Sequence, residues 1–337
     1  MIKQFIEKII ERENLSVEEA YQVMSAVMSG EVNNSQIAAL LVALKSKGET
    51  AEEVAGFAKA MRDKSIKIKC DDENVIDVCG TGGDASGTFN ISTAAAFVVS
   101  ACGVKVAKHG NRAVSSSSGS ADVLKELGIN ISLTPGQSEI ALNEIGVAFL
   151  FAPIYHPAMK YAAPVRNELG MKTVFNILGP LTNPAGTKKQ LIGTFNERTA
   201  ELMADAVKYL DMKKVCFVCT GGKLDEITLT DETAVKEFSA NASIKNYNVT
   251  NETFGYSKLG FQEIKGGSAK ENAEIIMNVF EKKEKTPAYF VVAANAAMGL
   301  YCADYSSDLK ICVQAAEETI NSGKALEKLK SLKSFEV

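Results

Sequence analysis

Val75-Ile-Asp77-Val-Cys79-Gly80-Thr-Gly82-Gly83-Asp84, continuing through Gly87-Thr88-Phe-Asn90-Ile91-Ser92-Thr93, is the stretch that decides the fold. An apolar run stops at a cluster of glycines and resumes as a helical pattern, the mark of a strand–turn–helix unit. Glycines at such a turn let the backbone approach a ligand closely, and the amides and dipole of the following helix favour a phosphate. A turn that is only structural seldom needs so many glycines followed by Thr88, Asn90, Ser92 and Thr93 as polar donors. The spacing Gly-x-Gly-Gly-x-x-x-Gly differs from the dinucleotide fingerprint, and Lys108 stands where that fingerprint wants an acid. No Gly-Lys-Ser/Thr closes the turn as a Walker A loop requires. Phosphate binding remains, while NAD and ATP recede.

On the N-terminal side the period is helical. Ile2, Phe5, Ile6, Ile9 and Ile10 recur at helix spacing, Ser16-Val-Glu-Glu19 is a capping box, and Gly30 closes that helix. Ser35 is expected to cap a third helix with Ile37, Leu40, Leu41 and Leu44 on its apolar face, and Thr50-Ala-Glu-Glu53 opens a fourth. The polar stretch Lys64 to Asn74 marks the change of period. Beyond it, strands are expected at 75–79, 104–107, 147–151, 191–194, 215–218 and 289–293, with helices over 93–101 and 120–127 between the early ones. The expectation is therefore a small N-terminal all-helical domain (1–68) plus a larger α/β domain (74–337) with a central mostly parallel sheet. A short-helical excursion near 155–184 is expected to pack beside the helical domain.

Composition excludes several classes. The 337 residues are 46% hydrophobic and 23% charged with a net charge of -4, so neither a disordered chain nor a general nucleic-acid binder is expected. The N-terminus leads directly into an amphipathic pattern without a signal-peptide core, and the seven cysteines are scattered, which predicts a cytoplasmic protein. Cys216 and Cys219 lie on a predicted strand, three positions apart and hence on opposite faces, so they read as core residues and not as a redox or metal pair. Residues 85–104 and 286–303 are uncharged or nearly so, but both are interrupted by polar residues, and no membrane span is expected.

Three further segments can carry chemistry. Lys108-His109-Gly110-Asn111-Arg112-Ala113-Val114-Ser115-Ser116-Ser117-Ser118-Gly119-Ser120 combines fixed cations, an amide and hydroxyls beside the second strand, which suits an anion-binding floor. Thr220-Gly-Gly-Lys-Leu-Asp225-Glu226 is a strand, a glycine turn and a carboxylate pair, the kind of group that holds a hydrated Mg²⁺ beside a polyphosphate. The block from Tyr155-His156-Pro157 through Arg166 to Asn183-Pro184 offers Arg166 as a partner for a second substrate's carboxylate, or equally as an ion-pair partner of Glu168 or another acid at an interdomain surface.

Taken in order, Gly80-Thr-Gly-Gly-Asp84, Asn90-Ile-Ser-Thr93, Lys108-His-Gly-Asn-Arg112 with Ser115-Ser116, Arg166-Asn-Glu-Leu-Gly170 through Asn183-Pro-Ala185, and Asp225-Glu226 resemble the anthranilate phosphoribosyltransferases over nearly the whole chain. The resemblance implies transfer of the phosphoribosyl group of phosphoribosyl pyrophosphate (PRPP) to anthranilate in tryptophan biosynthesis. It implies that PRPP is surrounded by Gly80, Gly82, Gly83, Asp84, Thr88, Asn90, Ile91, Ser92, Thr93, Lys108, His109, Gly110, Asn111, Arg112, Ala113, Val114, Ser115, Ser116 and Ser120. It places Mg²⁺ on Ser92, Asp225 and Glu226, and anthranilate on Gly80, Asn111 and Arg166. A homodimer through the helical part is implied as well. Ala113 departs from the pattern, since many members carry Ser there.

No acid–base residue is assigned, because an aromatic amine is already neutral at pH 7; His109 and His156 read as loop or packing histidines. A pyrimidine-nucleoside phosphorylase on the same fold is the alternative activity. It is disfavoured because Lys108-His-Gly-Asn-Arg112 stands where that family has Lys-His-Ser. A nucleic-acid-binding relative is disfavoured by the net charge and by the intact Asp225-Glu226 pair.

Overall fold

The computed structural model describes residues 2–84, 86–113 and 118–335. Val114, Ser115 and Ser116 therefore lie outside the described residues. Four helices open the chain: α1 (Ile2–Ile10), α2 (Val17–Met28), α3 (Asn34–Lys47) and α4 (Ala51–Asp63). The boxes at Ser16/Glu19 and Thr50/Glu53 form as expected. The third cap is Asn33, whose side chain accepts from the Gln36 amide, and not Ser35: an Asn three residues before Gln completes a reciprocal box, which Ser35 could not. Helices α2 and α4 pack closely at Gly56, where a Cβ would meet the Val17 carbonyl oxygen at 2.3 Å.

The α/β part begins with β1 (Ile76–Gly80), α5 (Ile91–Ala101), β2 (Val106–Gly110), α6 (Ser120–Glu126), α7 (Pro135–Glu144) and β3 (Val147–Phe151). An excursion of short helices follows, α8 (Ala152–Tyr155), α9 (Ala163–Leu169) and α10 (Phe175–Leu178), with single 3-10 turns between and after them. The sheet resumes with β4 (Lys189–Gly193), α11 (Glu197–Ala206), β5 (Lys214–Thr220), β6 (Thr233–Ser239) and β7 (Lys245–Val249), and the chain ends in α12 (Ala269–Lys282), α13 (Pro287–Cys302), α14 (Leu309–Ser322) and α15 (Lys324–Lys333).

The seven strands run in the order β3-β2-β1-β4-β5-β6-β7. β1 to β5 are parallel, and β6 and β7 add an antiparallel edge. The chain leaves β1 toward β2 on one side and returns to β4 on the other, so β1 flanks the switch point where open α/β sheets place ligands. Gly80 pairs with Gly193, bringing the ends of β1 and β4 level at that edge.

Strand alternation divides the core. Val78, Leu191, Cys216 and Val218 join the layer of α5, α13 and α14, whereas Cys79, Ile192, Val215 and Phe217 join the layer containing α2, α3, α4 and α11. Helix α11 covers the second face of the sheet, and α4 of the N-terminal part packs against α11. The excursion lies in that layer too, through Val165, Phe175 and Leu178.

Three expectations are corrected. Residues 289–293 are not a strand but part of the first two turns of α13: Thr286 caps it, Pro287 is its first residue, and burial on nearly all sides erases the amphipathic period that would have revealed a helix. The hairpin β6–β7 was not anticipated, although Thr233-Ala-Val-Lys-Glu-Phe-Ser239 alternates in burial with period two along most of its length. The second strand runs over 106–110 and not 104–107, so Lys108 and His109 belong to the strand and point to opposite faces.

Candidate active site

The expected phosphate turn leaves β1 at Gly80 and is held by a carboxylate from another strand loop. The Gly82 amide donates to Asp225 Oδ2 at 2.7 Å, and a Cβ on Gly80 would meet the same oxygen at 2.8 Å. Gly193 is more constrained, since a Cβ there would fall 1.5 Å from the Asp225 carbonyl oxygen. The close packing of the β4 end against the loop after β5 therefore demands glycine. Lys172, from the excursion, reaches the Gly83 carbonyl oxygen and lies 4.1 Å over the Phe195 ring. Nothing in its sequence context announced that role.

Helix α5 starts directly behind the turn. The Ser92 amide donates to Glu226 Oε1 at 3.1 Å. Lys108 is buried, with Nζ donating to the Val78 carbonyl at 2.6 Å and lying 3.4 Å from Ser92 Oγ. Residues from β1, α5, β2 and the loop after β5 thus meet at one sheet edge, as the sequence suggested. The hydroxyls of Thr81 and Thr93 are buried there without a partner among the described residues, an arrangement that costs free energy unless a ligand supplies the missing bond.

The carboxylates carry the clearest electrostatic signal. Burial, then Asp84 and Glu226, pushes Asp225 well above the usual carboxylate range, and burial pushes Glu226 up to about 7 against the pull of Lys108. Such crowding of negative charge is relieved by a cation. Among the described residues no three His, Cys, Asp or Glu side chains form a metal cage. A pair of carboxylates with a neighbouring hydroxyl suits Mg²⁺, which keeps waters and takes remaining oxygens from a phosphate, better than a closed zinc site.

The loop after β2 is closed on itself. Asp122 accepts from the amides of Ala113 and Gly119, both at 3.0 Å, and Ser120 Oγ donates to the Asn111 carbonyl. Asn111 and Arg112 are exposed at this loop, with Arg112 stacked 5.8 Å from the Phe151 ring centre.

The part contributed by the excursion is built differently. Arg166 on α9 is half-buried, lies 5.0 Å over the Phe175 ring, and makes no ion pair among the described residues. The reading in which it merely pairs with Glu168 does not hold. A desolvated guanidinium without a counter-ion is suited to an incoming carboxylate. His109, on the face of β2 opposite to Lys108, packs against His156 with ring centres 5.1 Å apart. Burial lowers them to about 3 and about 4, so both are neutral at pH 7. Beneath them Asp77, fully buried and pushed up to about 6 by desolvation, accepts from the His109 amide at 3.2 Å and from Asn183 Nδ2 at 2.8 Å. Asn183 also donates to the Ala107 carbonyl, so the end of the excursion is tied to β1 and β2.

Comparison with known proteins agrees with this layout. Residues 3–65 match the helical bundle domain of a glycosyl transferase family, and residues 72–326 match that family's a/b domain. The anthranilate phosphoribosyltransferase of Petrotoga mobilis is 46% identical over 335 residues, 99% of this chain and 97% of the relative; that of a Thermoanaerobacter species is 47% identical, over 100% and 99%. Among solved structures, the enzyme of that name from Thermus thermophilus superposes with a TM-score of 0.91 at 41% identity, covering 98% of both chains. The Saccharomyces cerevisiae protein, in complex with PRPP and Mg, gives 0.88 at 26% identity over 99% of this chain and 98% of its own.

Proposed function

The chain belongs to the anthranilate phosphoribosyltransferase family, and on that premise we propose that it transfers the phosphoribosyl group of PRPP to the amine of anthranilate, giving N-(5-phosphoribosyl)anthranilate and pyrophosphate in tryptophan biosynthesis. The observation that carries the reading is the meeting of a glycine turn, a helix N-terminus, Lys108 and a carboxylate pair at one sheet edge.

In the reaction the amine lone pair forms a bond to the ribose C1 as the bond from C1 to the pyrophosphate oxygen breaks, and the nitrogen then loses its proton to water. Charge builds on the departing pyrophosphate. The turn of residues 80–84, the start of α5 and the Lys108 ammonium surround that charge, with Thr88, Asn90 to Thr93 and Ser120 around it; fixed dipoles in a dry site are the most effective stabilisers of this kind. Ser92, Asp225 and Glu226 would hold Mg²⁺, which supplies further neutralisation of the leaving group when bound. The raised carboxylate pKa values and the orphaned Thr81 and Thr93 hydroxyls support that fit. Arg166 takes the anthranilate carboxylate, with Gly80 and Asn111 beside the ring. The enzyme's contribution is positioning and electrostatics, and no side chain moves a proton. The neutral, buried histidines agree with that division of labour.

The protein acts in the cytoplasm, and no helix among the described residues is long and apolar enough to cross a membrane. It pairs as a homodimer through the helical part, where Ile10 and Val42 are exposed on the neighbouring helices α1 and α3. The test of the activity is to mix protein, Mg²⁺ and PRPP with anthranilate, and in a second vessel protein with thymidine and phosphate. Pyrophosphate release in the first and no base release in the second is expected; the reverse result overturns the assignment.

A further inference from the structure

The phosphate turn has a support that its own sequence does not contain. The segment Lys265-Gly266-Gly267, just ahead of α12, lies along the outer half of the turn: Thr88 and Lys265 form an antiparallel bridge, and the Gly266 amide donates to the Gly87 carbonyl at 2.8 Å. Gly266 sits so close that a Cβ would lie 2.6 Å from the Phe89 Cα and 2.4 Å from Asn272 Oδ1.

Asn272, 1% exposed on α12, links this segment to the site. Its orientation is fixed by donors and acceptors that cannot exchange roles. The Gly267 amide, only a donor, points at Asn272 Oδ1 at 2.8 Å, so Nδ2 faces Asn90 and donates to its Oδ1 at 3.0 Å. Asn90 Nδ2 is thereby turned to the Ser118 carbonyl, only an acceptor, at 3.4 Å. One chain of bonds runs from α12 through Asn90 to the loop after β2.

Asn90 is also the N-cap of α5, and Asn at that position ordinarily spends its side-chain oxygen on the amides of the first turn. Here it makes no such bond. We infer that Asn272, with the Gly266-Gly267 segment, is a positioning element for the phosphoribosyl donor, drawing the Asn90 side chain away from the start of α5 so that the Thr93 amide, next to the Ser92 amide that meets Glu226, stays open to an anion. This rests on the proposed reaction. Asn272 touches no substrate; it acts through Asn90.

Initial rates with PRPP and anthranilate varied in turn, for the full-length protein and for Asn272→Ala, test the inference. The KM for PRPP should rise about 5- to 10-fold, the loss of one buried hydrogen bond with its orphaned partner, while that for anthranilate stays within about 2-fold. Asn272→Asp keeps the acceptor for the Gly267 amide and removes the donor to Asn90, and should shift the PRPP KM in the same direction should the alanine variant not fold. Amide hydrogen exchange over residues 87–93 without ligands should quicken in either variant. Unchanged exchange together with unchanged KM values, or equal shifts for both substrates, overturns the inference. An inactive wild type would instead refute the proposed reaction, and the exchange measurement would still decide the role of Asn272.

Discussion

The two halves of the proposed site are made of different material. On the phosphate side main-chain amides set the contacts: Gly82 and Ser92 donate to the Asp225 and Glu226 carboxylates, and Gly193 has no room for a methyl group. Around the excursion the contacts are between side chains, with Arg166 of α9 over Phe175 of α10, His156 against His109 of β2, and Asn183 reaching back to Asp77 of β1. A pyrophosphate needs dense fixed dipoles at close range, which backbone supplies. A flat aromatic acid needs one cation and an apolar wall, which side chains supply.

If this division is right, a small change on the phosphate side should do the most harm. Gly193→Ala places a Cβ against the Asp225 carbonyl and should lower the melting temperature by on the order of 5 °C or more while abolishing turnover. A folded and active variant would break the comparison at its strongest point. Next comes the carboxylate pair. Asp225→Asn combined with Glu226→Gln should reduce kcat/KM on the order of 10²-fold and shift the Mg²⁺ titration; an unmoved titration removes the metal assignment.

The acceptor side should respond selectively. Arg166→Ala should raise the anthranilate KM at least about 10-fold, with the PRPP KM nearly constant, since a charge-assisted bond contributes about 1.5–3 kcal/mol. Equal effects on both substrates would erase the distinction between the halves.

The smallest effect concerns acid stability. His109 and His156 are lowered from 6.5 to about 3 and about 4, so the unfolded chain takes up their protons first. The stability they contribute as neutral rings is present above pH 6.5 and is lost as pH falls toward 4. Asp77 and Glu226, raised to about 6 and about 7, act in the opposite sense, so the informative quantity is a difference. His109→Leu with His156→Leu should lose less melting temperature between pH 6.5 and 4 than wild type; parallel profiles would show that the pair does not titrate as its burial implies.

The same contrast explains what could be read in advance. Backbone chemistry leaves a local trace, since glycines at 80, 82, 83 and 87 ahead of Asn90 and Ser92 announce a phosphate turn by spacing alone. Lys108 and Asp225-Glu226 stand out because Lys108 lies next to a strand end and the carboxylates follow a strand and a glycine turn. Arg166 had no such frame, and its role came from family likeness. Lys172 and Asn272 were not foreseen, because each acts on a residue 89 or 182 positions away and sits in an ordinary helical or turn context. Helix α13 reads as a strand for a related reason: burial on nearly every face leaves no period to detect.

The most direct test is a structure of the protein with PRPP, Mg²⁺ and an unreactive anthranilate analogue together. The pyrophosphate should lie on the amides of residues 80–84 and the start of α5, the metal on Asp225 and Glu226, and the analogue's carboxylate on Arg166. A pyrophosphate seated on side chains of the excursion, or a carboxylate bound at the glycine turn, would contradict the division on which the account rests.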